Sequence, residues 1–158
     1  MVQEYSMKPN LRKLIEDYLK EAMLMQLSTC VDNQPWVCHV WFAADEDLNI
    51  YWFSSATRRH SREVAENPKV GAAIVFPHTP KDPPRGLQLE GAAELLTKKE
   101  DIAKARSVYE RRIFSKKEVD SFINSKTSPH RFYKIKPTLF VLFDLVNFPN
   151  NPRQELNL

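Results

Sequence analysis

Three short runs rich in Val, Ile, Trp and Phe follow one another with almost no spacing, and this constrains the fold more than any other feature. Leu24–Val31, Trp36–Ala44 and Asn49–Ser54 each have strand composition, separated only by Asp32-Asn33-Gln34-Pro35 and Asp45-Glu46-Asp47. Connections this short join antiparallel neighbours, because a parallel pair needs a crossover of about a dozen residues or more. The chain therefore starts its sheet as a meander.

The remaining elements fit around that meander. Asn10 is expected to cap a helix running to about Ala22, with Leu11, Leu14, Ile15, Tyr18, Leu19 and Ala22 on one face. Thr57–Glu66 reads as a short helix stopped at Asn67-Pro68. Val70–Phe76 reads as a fourth strand, apolar throughout and so expected to be buried on both faces. The proline-rich stretch Pro77–Pro84 must be an extended loop, and Gly86–Leu96 a long fifth strand. Thr97 with Glu100, and Ser115 with Glu118, have the spacing of capping boxes. Phe132–Ile135 and Thr138–Val146 supply a last strand interrupted at Pro137. The expected architecture is mainly β with helices (α+β), a closed antiparallel barrel of five or six strands decorated by helices. Closure of the barrel removes the exposed edges of such aromatic strands. One domain over residues 1–146 is expected, with 147–158 as an irregular tail.

Composition excludes several functions. Three glycines, at positions 71, 86 and 91, cannot build a Gly-rich phosphate loop. Cys30 and Cys38 make no disulfide framework, and with four scattered histidines they form no metal motif. Lacking an N-terminal apolar segment or an apolar run near eighteen residues, the chain is expected to have no membrane partner and to be cytoplasmic. The net charge of +3 is too mild for a dedicated nucleic-acid protein. Residues 98–136 do carry twelve basic and five acidic groups. A nucleic-acid face there would need exposed aromatics among the cations. Tyr109, Phe114 and Phe122 instead have helix-core spacing, so no nucleic-acid partner is expected.

The most informative stretch is Ile50-Tyr-Trp-Phe-Ser-Ser-Ala-Thr-Arg-Arg-His-Ser-Arg62. An aromatic strand runs through a hydroxyl-rich turn into a helix whose first residues are basic. Cations at a helix N-terminus oppose the dipole, and a bound anion relieves that cost. Ser54, Ser55, Thr57, Arg58, Arg59 and His60 thus suggest a phosphate site. Beside it, Val37–Phe42 with Trp52 and Phe53 could form a wall for a planar ring, although a barrel core explains most of them equally well.

The order of these motifs resembles the pyridoxamine 5′-phosphate oxidase-like family of FMN-binding split barrels, and in particular its small bacterial members. The resemblance covers about residues 11–146. It rests on Met25-Gln-Leu-Ser-Thr29, Ile50-Tyr-Trp-Phe-Ser54, Arg59 through Asn67-Pro68-Lys69-Val70, Arg85-Gly-Leu-Gln-Leu-Glu-Gly-Ala-Ala-Glu94 and Ala105-Arg-Ser-Val-Tyr-Glu-Arg-Arg112. It implies a six-stranded antiparallel split β-barrel decorated by helices, with an FMN at a homodimer interface. Cys38, His39 and Val40, in a stretch extending to Ala43, would run along the flavin ring, and Phe53-Ser54 would touch it from the next strand. Arg59 matches a phosphate-binding arginine of the family, whereas His60 stands where the oxidase has a lysine. Gly86 replaces a flavin-contacting glutamine, and Cys38 and Ala43 replace basic residues. These departures point away from pyridoxamine phosphate oxidation itself.

The expected function is thus an FMN-dependent oxidoreductase acting on a small-molecule substrate, in which the flavin carries the chemistry. A deazaflavin, F420, suits the same basic end, and a non-catalytic flavin- or haem-binding module is the alternative. On the substrate side the candidates are Arg85, Arg111, Arg112 and His130. Tyr109, three residues before Arg112, is placed to share a ligand with it.

Overall fold

A computed structural model describes residues 9–158. Residues 1–8, which the expected domain includes, lie outside the described residues. The elements run α1 (Leu11–Glu21), β1 (Leu24–Val31), β2 (Gln34–Ala44), β3 (Ile50–Ser55), α2 (Arg59–Glu66), β4 (Lys69–Ile74), β5 (Arg85–Leu95), α3 (Lys99–Glu110), α4 (Lys116–Ile123), β6 (His130–Asp144) and β7 (Arg153–Asn157).

The meander forms as the short turns require. Asp32 and Asn33 both adopt positive φ (52° and 59°), the conformation of a two-residue hairpin whose twist matches its strands. Gln34 and Pro35, read above as turn, therefore already belong to β2. The sheet order is β3-β2-β1-β4-β5-β6-β7, every pairing is antiparallel, and β3 also pairs with β6. Six strands thus close into a ring, and the protein is an α+β split barrel.

β6 makes closure possible by its length. His130–Ile135 pairs with β3 and Leu139–Phe143 with β7, while β5 runs along its other edge from Tyr133 to Asp144. The strand passes through Pro137 without a break. The register with β5 shifts at Glu90/Gly91, where Gly91 faces Pro137. The tail expected to be irregular instead contains β7. Its side chains alternate between exposed and half-buried, so backbone pairing with β6 holds it together with Leu156, which packs against the barrel core.

Two cores result. The barrel interior is filled by Leu27, Phe42, Trp52 and Phe140, and α1 closes it with Ile15, Tyr18 and Leu19. Outside the wall, α3 and α4 cover β3 and β6 through Tyr51, Phe53, Tyr109, Val119 and Phe132. The strand buried on both faces is consequently β3, not β4. In β4 the burial alternates, because among the described residues no helix covers the outer side of Lys69 and Ala73.

Of the two expected capping boxes one forms. Ser115 N donates to Glu118 at 2.8 Å while Glu118 N donates back to Ser115 Oγ. α3 instead begins after Lys98 with no side-chain cap, because Leu96 N is still donating to Phe132 O and holds the chain in the sheet.

Candidate cofactor site

α2 starts where β3 leaves the barrel, and its N-terminus carries no side-chain cap and no acidic residue in the first turn. Around it, residues from three other elements converge. Arg59 Nε donates to Glu63 Oε1 at 2.6 Å, and its guanidinium lies 4.2 Å from the ring centroid of Trp36 on β2. The other oxygen of Glu63 accepts from Thr29 Oγ1 of β1. Thr29 and Trp36 are direct cross-strand partners, which is why one helix turn can reach both. The bonds from Thr29 and Arg59 hold the Glu63 carboxyl below the usual carboxylate range.

His60 turns inward, 8% exposed, and its Nε2 is 2.9 Å from Ser54 Oγ. Burial, aided by the Arg58 charge, pulls its pKa down, so the ring is neutral at pH 7. It therefore adds hydrogen-bonding capacity, not charge, to the start of α2. Ser55 Oγ and Thr57 Oγ1 are 3.0 Å apart, and Thr57 and Arg58 are exposed. Ser61, also in the first turn and buried, lies against the Tyr133 hydroxyl without a hydrogen bond of good geometry.

The expected site residues separate into groups. Cys38, Ser54, Arg59 and His60 gather around α2: Ser54 meets His60, and Arg59 and Cys38 both lie near Glu63. Burial and the Glu63 charge push the Cys38 thiol up to about 11, so it is no nucleophile. Val40 and Trp52 fill the barrel core, where Trp52 stacks on Tyr133 at 4.8 Å, and neither side chain is available to a ligand. Phe53 belongs to the second core, 4.5 Å from Phe132. His39 points outward on β2 with Val37 (55% exposed) and Trp41 (47%). Opposite Trp41 stands Leu24, so the outer face of this hairpin is an open apolar surface.

The structure does not bring the substrate-side candidates Arg85, Tyr109 and Arg112 together. Tyr109 is 1% exposed in the second core. Arg112 turns away from it and donates to the carbonyls of Leu19 and Ala22 at the end of α1. Arg85 lies 3.5 Å from Asp144 and 5.8 Å from the Tyr18 ring, fastening β5 to α1 and β6. A cleft of about 680 Å³ lies elsewhere, between α1, the β2–β3 turn and α3, where Lys104 bridges to Asp45 at 2.8 Å. Trp36, Thr29 and Glu63 were not among the expected site residues. Only Glu63 carried a local signal, its i,i+4 spacing from Arg59.

A closed antiparallel ring with a helix-covered outer core defines the α+β split-barrel class. Within that class the model of the pyridoxamine 5′-phosphate oxidase family matches residues 11–141, and the chain belongs to this family. Among solved structures it is similar to a haem-binding protein from Mycobacterium smegmatis (TM-score 0.75, 18% identity, covering 94% of this chain and 58% of that one). It is also similar to a haem storage protein from Vibrio cholerae (TM-score 0.68, 18% identity, 82% and 91%). A third is an FAD-binding protein from Mesorhizobium loti (TM-score 0.61, 20% identity, 81% and 88%). No curated protein matches the chain. Among the described residues no helix is long and apolar enough to cross a membrane.

Proposed function

We propose that the chain binds FMN at a homodimer interface and serves as a flavin-dependent oxidoreductase for a small organic substrate in the cytoplasm. The observation that carries this reading is Arg59 at the uncapped start of α2, paired among the described residues through Nε alone. Its Nη edge and the first amides of the helix fit a phosphate ester, with the exposed Thr57 hydroxyl beside them. The open apolar face of Val37, Trp41 and Leu24 suits a second copy of the chain, which would cover the flavin. Bound there, a flavin supplies hydride and single-electron chemistry. The protein's own part is to anchor the phosphate, exclude water and present the ring edge through the β2 backbone. His39 is an exposed polar side chain on that strand.

The test is titration of the full chain with FMN and with riboflavin, which lacks the phosphate. FMN should bind more tightly, and Arg59→Ala should weaken FMN by about 1.5 kcal/mol, the low end for a charged hydrogen bond because Arg59 is partly exposed. Riboflavin should be nearly unaffected. Equal losses for both ligands would remove the phosphate from Arg59. NAD(P)H consumption by the yellow protein separates an oxidoreductase from a flavin carrier, and mass spectrometry of the native protein separates FMN from F420.

A haem-binding module is the second reading, supported by His130. Its Nδ1 lies 2.8 Å from Ser128 O and must donate there, which leaves Nε2 as a free ligand atom beside Phe53 and Phe122. A Soret band on haem titration that disappears in His130→Ala would favour it over the flavin.

A further inference from the structure

We infer that Glu63 is a positioning residue for the phosphate site, holding Arg59 against Trp36 so that both Nη groups remain free for the ligand. This rests on the reading of Arg59 as the phosphate arginine and assigns the residue that makes the arginine competent.

A guanidinium carries five donors in a planar fork on a long, flexible stem, and it binds an oxyanion well only when the fork is already oriented. Arg59 is oriented from two sides. Glu63 Oε1 takes Nε at 2.6 Å, and the Trp36 ring covers one face at 4.2 Å. Among the described residues neither Nη has a partner. The carboxylate is itself fixed, because Thr29 Oγ1 donates to its second oxygen. Three elements, α2, β1 and β2, thus determine where one guanidinium points.

The opposite role for Glu63 is as an internal counter-anion that competes with a phosphate. The depression of about 380 Å³ at Arg59 gives that role substance, since Asp32, Glu63 and Glu66 line it along with Arg59 and Arg62. The way the donors are used argues for positioning. Arg106 offers the contrast. It pairs with Glu110 at the same i,i+4 spacing but also gives Nη2 to Asp120 at 2.7 Å, so two of its three nitrogens are engaged. Arg59 gives only Nε. Nor is Glu63 needed to seat α2, because Asn67 Nδ2 already ties the helix end to the Cys30 carbonyl at 2.8 Å and Val64 packs into the barrel core.

The test is titration of FMN and riboflavin against the wild type, Glu63→Ala, Glu63→Gln, Arg59→Ala and the double variant Arg59→Ala/Glu63→Ala. Glu63→Ala should lose FMN affinity about tenfold and keep riboflavin within about twofold, as loss of preorganisation alone requires. Glu63→Gln, which keeps an acceptor for Nε and can still meet Thr29, should recover most of that loss. In the Arg59→Ala background, removing Glu63 should change FMN binding by less than about twofold. FMN binding in Glu63→Ala equal to or tighter than in the wild type makes Glu63 a competitor and overturns the inference. Equal losses for both ligands make it a structural tie and overturn it as well. Should Glu63→Ala not fold, Thr29→Val frees one carboxylate oxygen, and it must weaken FMN selectively for the inference to stand. A wild type that binds FMN and riboflavin equally refutes the phosphate reading itself. A wild type that prefers FMN while Glu63→Ala retains that preference refutes only the role of Glu63.

Discussion

Arg112 Nη1 donates to the Leu19 carbonyl at 2.7 Å, so a side chain just past α3 closes the end of a helix 93 positions earlier in the chain. Nη2 does the same for Ala22 O. The last carbonyls of α1 have no intrahelical donors, and a cation there meets both the free acceptors and the negative end of the dipole. Desolvation at this spot pulls the Arg112 pKa down from its ordinary value, which is the cost of holding a guanidinium against the helix end.

Arg112→Ala should therefore lower stability by about 1.5–3 kcal/mol, the range for a hydrogen bond to a charged group. Arg112→Lys should recover only part, because an ammonium cannot span two carbonyls as a planar fork does. Urea unfolding followed by far-ultraviolet circular dichroism reads the change. The ratio of FMN to riboflavin affinity should not move. A selective loss of FMN would return Arg112 to the ligand side.

The limits of what the sequence could show are clear in particular elements. Asn10, Ser115 and the Asp32-Asn33 turn are local devices, and each does what its residue types require. Thr97 and Glu100 have the same local spacing as Ser115 and Glu118, but a sheet hydrogen bond from Leu96 to Phe132 overrides them. The apolar run after Val70 read as doubly buried because nothing local says where α3 and α4 will lie. They cover β3 instead. β7 was hidden for a different reason: Arg153–Asn157 offers a single apolar side chain, Leu156, too little for a strand period, and its place is set by backbone pairing with β6. At the site, the basic start of α2 was legible from dipole physics. The Thr29–Trp36 register was not, and it is this register that decides where Arg59 points.

Gly91 is the one glycine whose missing side chain the barrel depends on. A Cβ there would stand 2.4 Å from Lys136 O and 2.8 Å from the Pro137 Cα, both backbone atoms that cannot rotate away. Gly91→Ala should cost about 1–3 kcal/mol or prevent closure of the ring at the β5–β6 bulge. Gly71→Ala is the control, since its Cβ would meet Leu89 O at an ordinary 3.6 Å. It should stay within about 1 kcal/mol of the wild type. Equal costs at the two positions would mean that strand propensity, not close approach, governs both.

The Cys38 thiol gives a chemical probe of the surroundings of Glu63. With a pKa pushed up to about 11 by burial and by Glu63, its alkylation by iodoacetamide should be slow at pH 8 and rise about tenfold per pH unit up to pH 10. Glu63→Gln should speed the reaction at fixed pH by removing the negative charge. A rate that levels off below pH 9 would show a thiolate stabilised by a cation, contrary to this geometry.

His60 makes stability depend on pH in a defined direction. Its folded pKa lies below the ordinary 6.5, because burial and the Arg58 charge oppose a second positive charge against Ser54. Above pH 6.5 the ring is neutral in both folded and unfolded chains, and its contribution is fully present. As the pH falls below 6.5 the unfolded chain takes up a proton that the folded chain refuses, so stability declines until the folded pKa is reached. The slope from this one group cannot exceed about 1.4 kcal/mol per pH unit. Glu63, whose folded pKa is also depressed, adds a decline of the same sign, but only below its ordinary value of 4.5. The two windows therefore separate. Urea midpoints at pH 7.0, 6.0 and 5.5 should fall for the wild type and fall less for His60→Gln, which keeps a polar partner for Ser54 without a titrating ring. Parallel declines in the two proteins across that range would place the responsible proton on some other group and leave His60 charged at the helix start.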